Sequence, residues 1–547
     1  MRPSTCAYYA LLALVACAPA PDITPVRFTD VTAACGLDFR MHSGNQVKNY
    51  IIEAKGGGGA FLDYDGDGWL DIYLVNGSRL EGYPDPATAP TNALYRNMGD
   101  GTFANYTRTA GVGDAGWGMG CAAADYDQDG DLDLYVTNYG PNVLYRNEGN
   151  GQFRDVGQTA GVDLAGWSTG ATFGDYDGDG DLDLYVAQYL HFAPDRVPPR
   201  GGMWKGVLVF AGPLGLPGAQ DVLYRNEGNG QFRDVTRQAK VGQFAPTYGL
   251  SALFCDYDND GDPDIYVAND SAPNFLYRNE GNGQFRDVGV EAGAALSAEG
   301  GAQAGMGIAY GDYDGDGDGD LLVTHFEDDY NTLYGNQGNG RFAVVSAAAG
   351  LAEPSLPHLS FGTCFFDYDN DQDQDLFVAN GHVYPQIRHL APDGYAEPNQ
   401  LFANQGPASA YRFAEVAAGD VSRPAVSRGA AKGDYDNDGD VDVLVFNLDG
   451  PPQLLRNDGG NQRNWLSLSL VGGGLGTKVA IASGGVEQTT EVVSGGSFLA
   501  HSDGRVHFGL GFNQAADWIE IRWPSGRVQR LEDVAANQFL TVEEPGP

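Results

Sequence analysis

The chain has 547 residues, with 73 Asp plus Glu against 32 Lys plus Arg and a formal charge of −41. That balance argues against nucleic acid or anionic lipid as a direct partner and makes cations the expected counter-species. Hydrophobic residues at 42% and aromatics at 11% provide for a sizeable core and exclude wholesale disorder.

Residues 1–20 combine Arg2, an apolar run from Ala7 to Ala16 and then small residues, the pattern of a secretory signal rather than a membrane span. Within it, Leu14-Val15-Ala16-Cys17 resembles a bacterial lipobox, with Cys17 the residue to be lipidated. Ala18-Pro19-Ala20 is the alternative cleavage site, although Pro21 hinders it, and Ala18 is compatible with outer-membrane sorting. The expectation is an exported protein, a lipoprotein at the outer membrane or cell surface or else a secreted one, touching membrane only through a lipid anchor. Four cysteines remain, Cys35, Cys121, Cys255 and Cys364. They are too widely spaced for a disulfide framework and read as buried strand thiols.

From residue 24 to 460 the sequence is a repeat. Acidic segments of the type DYDGDGDLD start at Asp63, Asp125, Asp175, Asp256, Asp312, Asp367 and Asp434. Segments of LYRN type start at Leu94, Leu144, Leu223, Leu276, Leu333, Leu401 and Leu454, and F-x-D-V-type segments at Phe28, Phe103, Phe153, Phe232, Phe285, Phe342 and Phe413. Gly/Asn/Asp turns separate these short β-type runs, so each unit reads as four strands. Seven such units predict an all-β, seven-bladed propeller. Because Phe28 precedes every acidic loop while Leu454 has no F-x-D-V after it, the N-terminal strand is expected to complete the last blade. That exchange would leave no open edge in the ring.

Five Asp at alternate positions of a flat strand would repel one another. A turn at the sixth position, where Gly68, Gly130, Gly180, Gly261, Gly317 and Gly439 stand, curls them round a common centre. The predicted ligands are positions 1, 3, 5 and 9 of each loop. In chain order these are Asp63, Asp65, Asp67 and Asp71; Asp125, Asp127, Asp129 and Asp133; Asp175, Asp177, Asp179 and Asp183; Asp256, Asp258, Asp260 and Asp264. They continue with Asp312, Asp314, Asp316 and Asp320; Asp367, Asp369, Asp371 and Asp375; and Asp434, Asp436, Asp438 and Asp442. Oxygen-only ligands suit Ca²⁺, up to seven ions, whereas Zn²⁺ and Cu²⁺ prefer the thiols and imidazoles that are absent here. Position 7 is Trp69 in the first copy, so its backbone carbonyl is the natural ligand and Asp131 and its counterparts are expected to point outward. The loops are not EF-hands, because position 12 is apolar and no helices flank them. The sixth copy has Gln372 in place of Gly and is the least certain site.

Two insertions interrupt the repeat, Gln188 to Asp221 and Gly381 to Gln400, carrying His191, Trp204, Lys205, Phe210, Tyr384, His389 and Tyr395. They are the expected ligand-binding rim. From 463 to 545 the runs NWLSLSLVGG, KVAIASGG, RVHFGLG and WIEIRWPSG read as a separate small β domain.

GGGAFLDYDGDG and its six counterparts resemble FG-GAP/VCBS repeats of integrin-α-type propellers. HFGLG (His507 to Gly511) and WPSG (Trp523 to Gly526) resemble the ASPIC/UnbV domain, although GGGLGTKV (Gly472 to Val479) is short for it. The combination is similar to the cartilage-acidic-protein-like family. The resemblance implies a calcium-binding extracellular propeller that binds a protein or glycan.

No catalytic site is expected. Gly166 to Gly170 matches G-x-S-x-G around Ser168, but it precedes a strand and an acidic loop instead of opening a helix. His382 and His389 form no motif with the other histidines. The reading is therefore an exported calcium-binding propeller for adhesion. A propeller enzyme acting on polysaccharide or a redox substrate, and a structural cell-surface component, stand as alternatives.

Overall fold

The computed structural model describes residues 24–80, 90–242, 247–388, 394–410, 412–472 and 474–546. Cys17, the leader and His389 lie outside them.

The alternating repeat folds into four-stranded antiparallel units. The first contains Gly59–Leu62, Asp71–Leu74, Ala93–Asn97 and Phe103–Asn105. Six more follow, and in the last, Ser427–Gly433, Asp442–Asn447 and Gln453–Asp458 are joined by Arg27–Asp30 from the other end of the chain. Phe28 pairs with Asn457, so the expected N-terminal closure is present. Among the described residues the seven first strands pack side by side, and the seventh meets the first again. The architecture is all-β and propeller-like.

The LYRN asparagines explain how neighbouring units are held. Asn147 Nδ2 donates to Tyr64 O of the preceding unit at 2.8 Å, and the same bond recurs from Asn226 to Tyr126, Asn279 to Tyr176, Asn336 to Tyr257, Asn404 to Tyr313 and Asn457 to Tyr368. Asn97 to Tyr435, at 2.8 Å, completes the circle. Between the units lie apolar layers, such as Tyr64, Tyr73, Leu94, Leu134 and Phe153 between the first and second.

The C-terminal part forms two sheets around Leu466, Ile481, Phe508, Ile519 and Trp523. These sheets have a core of their own and also touch the ring. Residues 494–501 lie on the first strands of the units: Gly495 bridges Leu253, Ser497 bridges Ile308, and Ala500–His501 pairs in parallel with Gly59–Ala60. Ser497 Oγ donates to Ala430 O at 2.7 Å, and Thr172 Oγ1 to Ser494 O at 2.6 Å. The glycines of those strands make room for it, since a Cβ at Gly58 would stand 2.0 Å from Leu499 O. One central segment thus ties the C-terminal sheets to blades on every side of the ring.

The insertions do not form an aromatic rim. Phe210 and Tyr384 have ring centroids 4.7 Å apart, and Trp204 packs edge-on against Phe326 at 5.0 Å. Phe210 and Tyr384 belong with Trp117, Trp167, Tyr189 and Phe498 to one buried cluster, and the half-buried Trp204 and Phe326 pack against it. The rim reading is corrected accordingly: most of these aromatic rings close the fold.

Candidate metal centres

Each acidic loop joins the first strand of a unit to the second, and hydrogen bonds curl it. In the first loop, Asp63 Oδ1 and Oδ2 accept from the amides of Asp67 and Gly68 at 3.1 and 2.9 Å. Asp67 Oδ1 accepts from Trp69 N at 3.0 Å. Gly68 has φ +85°, so the predicted left-handed turn is formed. The same bonds from position 1 to the amide of position 6 recur at Asp125, Asp175, Asp256, Asp312, Asp367 and Asp434.

Position 9 has a second task that the spacing did not reveal. Asp133 Oδ1 accepts from Asn147 N at 2.8 Å and Oδ2 from Tyr126 N at 3.2 Å, so it clamps the loop to the LYRN strand. Asp71, Asp183, Asp264, Asp320, Asp375 and Asp442 do the same. Each oxygen keeps a second lone pair for a cation.

In each of the first five loops three of the four predicted ligands come together. One carboxylate oxygen each from Asp63, Asp65 and Asp71 lies within 4.8 Å of the others, as do those of Asp125, Asp127 and Asp133, and of Asp175, Asp177 and Asp183. In the fourth and fifth loops the groups are Asp256, Asp258 and Asp260, and Asp312, Asp314 and Asp316. Opposite ligands of Ca²⁺, at roughly 2.3–2.6 Å each, span about that distance.

The charge of these groups is only partly met within the protein. Asp65, Asp127, Asp258, Asp369 and Asp436, all position 3, each have a buried Oδ1 with no hydrogen-bond partner. Such an atom is costly unless something neutralises it. Burial, with neighbouring carboxylates adding to it, pushes Asp71 and Asp133 up to about 8 and Asp183 and Asp320 to about 9. An all-oxygen donor set with orphaned carboxylate oxygens fits a hard divalent cation.

Position 7 departs from expectation in part. Asp181 Oδ1 and Asp318 Oδ1 turn away and accept from Gln128 Nε2 and Asn259 Nδ2 of the preceding loop, at 3.2 and 2.8 Å. Asp373 and Asp440 instead have a buried, unpartnered Oδ1, and burial pushes both up to about 8.

Four loops meet a cation of the protein itself, a feature the repeat spacing could not show; the loosest contact is Arg225, 4.0 Å from Asp177. Arg96 reaches Asp65 at 2.6 Å and Asp67 at 2.8 Å. Lys478, from the C-terminal sheets, reaches Asp256 at 2.8 Å, and Arg463 reaches Asp369 at 2.8 Å and Asp371 at 3.5 Å. In the sixth loop Gln372 does adopt the turn, at φ +84°, and donates to Ser483 O at 3.1 Å.

The remaining candidates lie inside the fold. Ser168 lies inside a strand, where Asn142 Nδ2 donates to its Oγ at 2.8 Å and Gln188 Nε2 at 2.5 Å. His382 is buried, 3.1 Å from Glu327 and accepting from Tyr384 N. Cys35, Cys121, Cys255 and Cys364 are free and buried. Among the described residues no helix is long and apolar enough to cross a membrane.

The architecture and loops define a repeat propeller with acidic metal-type turns, and the family comparisons agree. FG-GAP-like repeat matches cover residues 63–136, 125–186, 208–267, 256–323 and 312–378, and an ASPIC and UnbV match covers 472–547. The chain belongs to this family of FG-GAP repeats with a C-terminal ASPIC/UnbV domain, the cartilage-acidic-protein-like proteins.

It is 25% identical to cartilage acidic protein 1 of Mus musculus over 330 residues, which cover 57% of this chain and 47% of that one. The Xenopus tropicalis protein of the same name is 24% identical over 299 residues, covering 52% and 44%. The match thus spans less than half the length of these relatives. Among solved structures, YCF48 bound to D1 peptide superimposes with a TM-score of 0.41 at 9% identity, covering 80% of this chain and 99% of that one. An Agrocybe aegerita lectin solved for recognition of non-reducing terminal N-acetylglucosamine gives 0.38 at 18% identity, covering 72% and 85%.

Proposed function

We propose that this is an exported calcium-binding propeller that binds a protein or glycan outside the cytoplasm, with calcium serving mainly to stabilise the ring. The observation that carries the reading is the five position-3 carboxylates Asp65, Asp127, Asp258, Asp369 and Asp436, each with a buried oxygen that accepts no hydrogen bond, in an all-oxygen turn. Up to seven ions would be held, by positions 1, 3, 5 and 9 of the loops. Sites in extracellular modules bind calcium with Kd of roughly 10⁻⁴ to 10⁻³ M, matching its abundance outside cells. The leader with Cys17 supports export and a lipid anchor. Relationship to the cartilage-acidic-protein-like family supports extracellular binding.

The test is an array of glycans and matrix proteins probed with the mature chain in calcium and in EDTA. Binding of a component in calcium, lost in EDTA, is the expected result. Release of sugar from a polysaccharide, or a coloured cofactor retained on purification, would overturn it.

A further inference from the structure

A cleft of about 670 Å³ lies between the C-terminal sheets and the acidic-loop side of the ring. Consecutive residues Gly485 to Val493 all border it. Neighbouring residues of a strand point to opposite faces. A cavity touched by every one of them therefore runs along the strand's edge, not over one face. Strand Val486–Glu491 is indeed outermost in its sheet, paired only with Lys478–Ser483.

The pairing shows which backbone groups face the cleft. Ser483 pairs with Val486 across Gly484 and Gly485, whose φ angles are +60° and +87°. A two-residue turn of this kind makes the flanking pair hydrogen-bonded, and hydrogen-bonded and open pairs then alternate. Val486, Gln488 and Thr490 bond inward, while Glu487, Thr489 and Glu491 turn their N–H and C=O outward. No backbone hydrogen bond joins these three to another described element. Such an edge is a template for a further strand.

We propose that this edge is a docking site for an extended peptide carrying basic side chains, which adds to the sheet as a fifth strand. The inference rests on the binding reading above and names a partner class for it. The cleft has the volume of a ligand site, and six strand residues give about 20 Å of pairing. Glu487 makes no ion pair among the described residues, and the fifth acidic loop, whose Asp312 and Asp314 border the cleft beside Arg412 and Arg505, keeps a net negative charge with one divalent ion on its four ligand carboxylates, so cationic side chains are favoured. Lys432 also borders it; its ammonium donates to Phe365 O at 2.6 Å and makes no ion pair among the described residues, leaving donors for a peptide carbonyl. The chain uses the same mode internally, where Ala500–His501 adds in parallel to Gly59–Ala60.

The experiment uses the mature chain in calcium and a fluorescein-labelled hexapeptide of alternating Lys and Val, followed by anisotropy. A copy N-methylated at alternate amides has the same charge but cannot pair. Expected are saturable binding, a loss of about tenfold or more with the N-methylated copy, and a similar loss with Thr489→Pro. Proline there removes an outward amide only, a substitution edge strands tolerate, so the melting temperature should hold, and Thr489→Ala should bind normally. Equal binding of both peptides, or no saturable binding, overturns the proposal, and the peptide arm decides even if Thr489→Pro misfolds. If a glycan or matrix protein binds in calcium while the hexapeptide does not, the cleft assignment fails and the proposed function stands. If the hexapeptide binds and chelation changes nothing, the calcium reading fails instead.

Discussion

The second and sixth acidic loops share the same spacing of carboxylates and have opposite surroundings. In the second, Gly130 makes the turn at φ +98° and no ion pair among the described residues reaches Asp125, Asp127, Asp129 or Asp133. In the sixth, Gln372 makes the turn, Arg463 lies on Asp369 and Asp371, and His507 Nε2 is 2.7 Å from Asn370 Oδ1. The difference teaches that one motif can be completed in two ways. An open loop depends on a cation from outside, whereas a loop beneath the C-terminal sheets has part of its charge met by the chain.

The largest effect is expected from Asp133→Ala. It removes a cation ligand from the open loop and strands two buried amides, those of Asn147 and Tyr126. At about 1–3 kcal/mol for each unsatisfied group, the loss should reach about 3 kcal/mol or more in denaturant unfolding. A loss near zero would mean the open loop holds nothing.

Next comes pH. Burial pushes the position-9 carboxylates of Asp71 and Asp133 up to about 8 and of Asp183 and Asp320 up to about 9 in the metal-free fold, against about 4 in the unfolded chain. The folded state then holds these protons more tightly, so chelated protein should lose stability as pH rises from about 4 towards 8 or 9. Calcium favours the ionised forms, so the gap in melting temperature between calcium and EDTA should widen over that window. A gap that narrows with pH would sink the assignment.

Arg463→Ala sharpens the other side of the comparison. The guanidinium is 20% exposed, so its pairing is worth about 1 kcal/mol after solvent screening. The cost should be larger in EDTA than in calcium, where the ion supplies the missing charge; melts in both buffers decide it. The smallest effect belongs to Gln372→Gly. It relieves a left-handed side-chain residue and gives up the bond to Ser483 O, for a net change within about 1 kcal/mol.

Much of the fold was legible in the sequence because the repeat is written locally. The acidic turns, the LYRN strands and the Phe28 strand each announce their partners by position, and the Phe28 to Asn457 pairing follows from motif order alone. The segment around Leu499 was not legible, since its pairing with strands hundreds of residues away depends on close approach at Gly58 and Gly120. The double role of position 9 was hidden for a related reason: spacing shows that an Asp is needed, not that its oxygens also hold two amides. The insertions misled because Trp204, Phe210 and Tyr384 look the same in sequence whether they face a ligand or one another.

The most direct test of the central claim is calorimetric titration of Ca²⁺ into chelator-stripped mature protein, with thermal unfolding recorded alongside. The structure predicts several bound ions, up to one for each of the seven acidic loops, and a large rise in melting temperature. Binding of none or one, with an unchanged melt, would contradict it and reduce the acidic loops to turns.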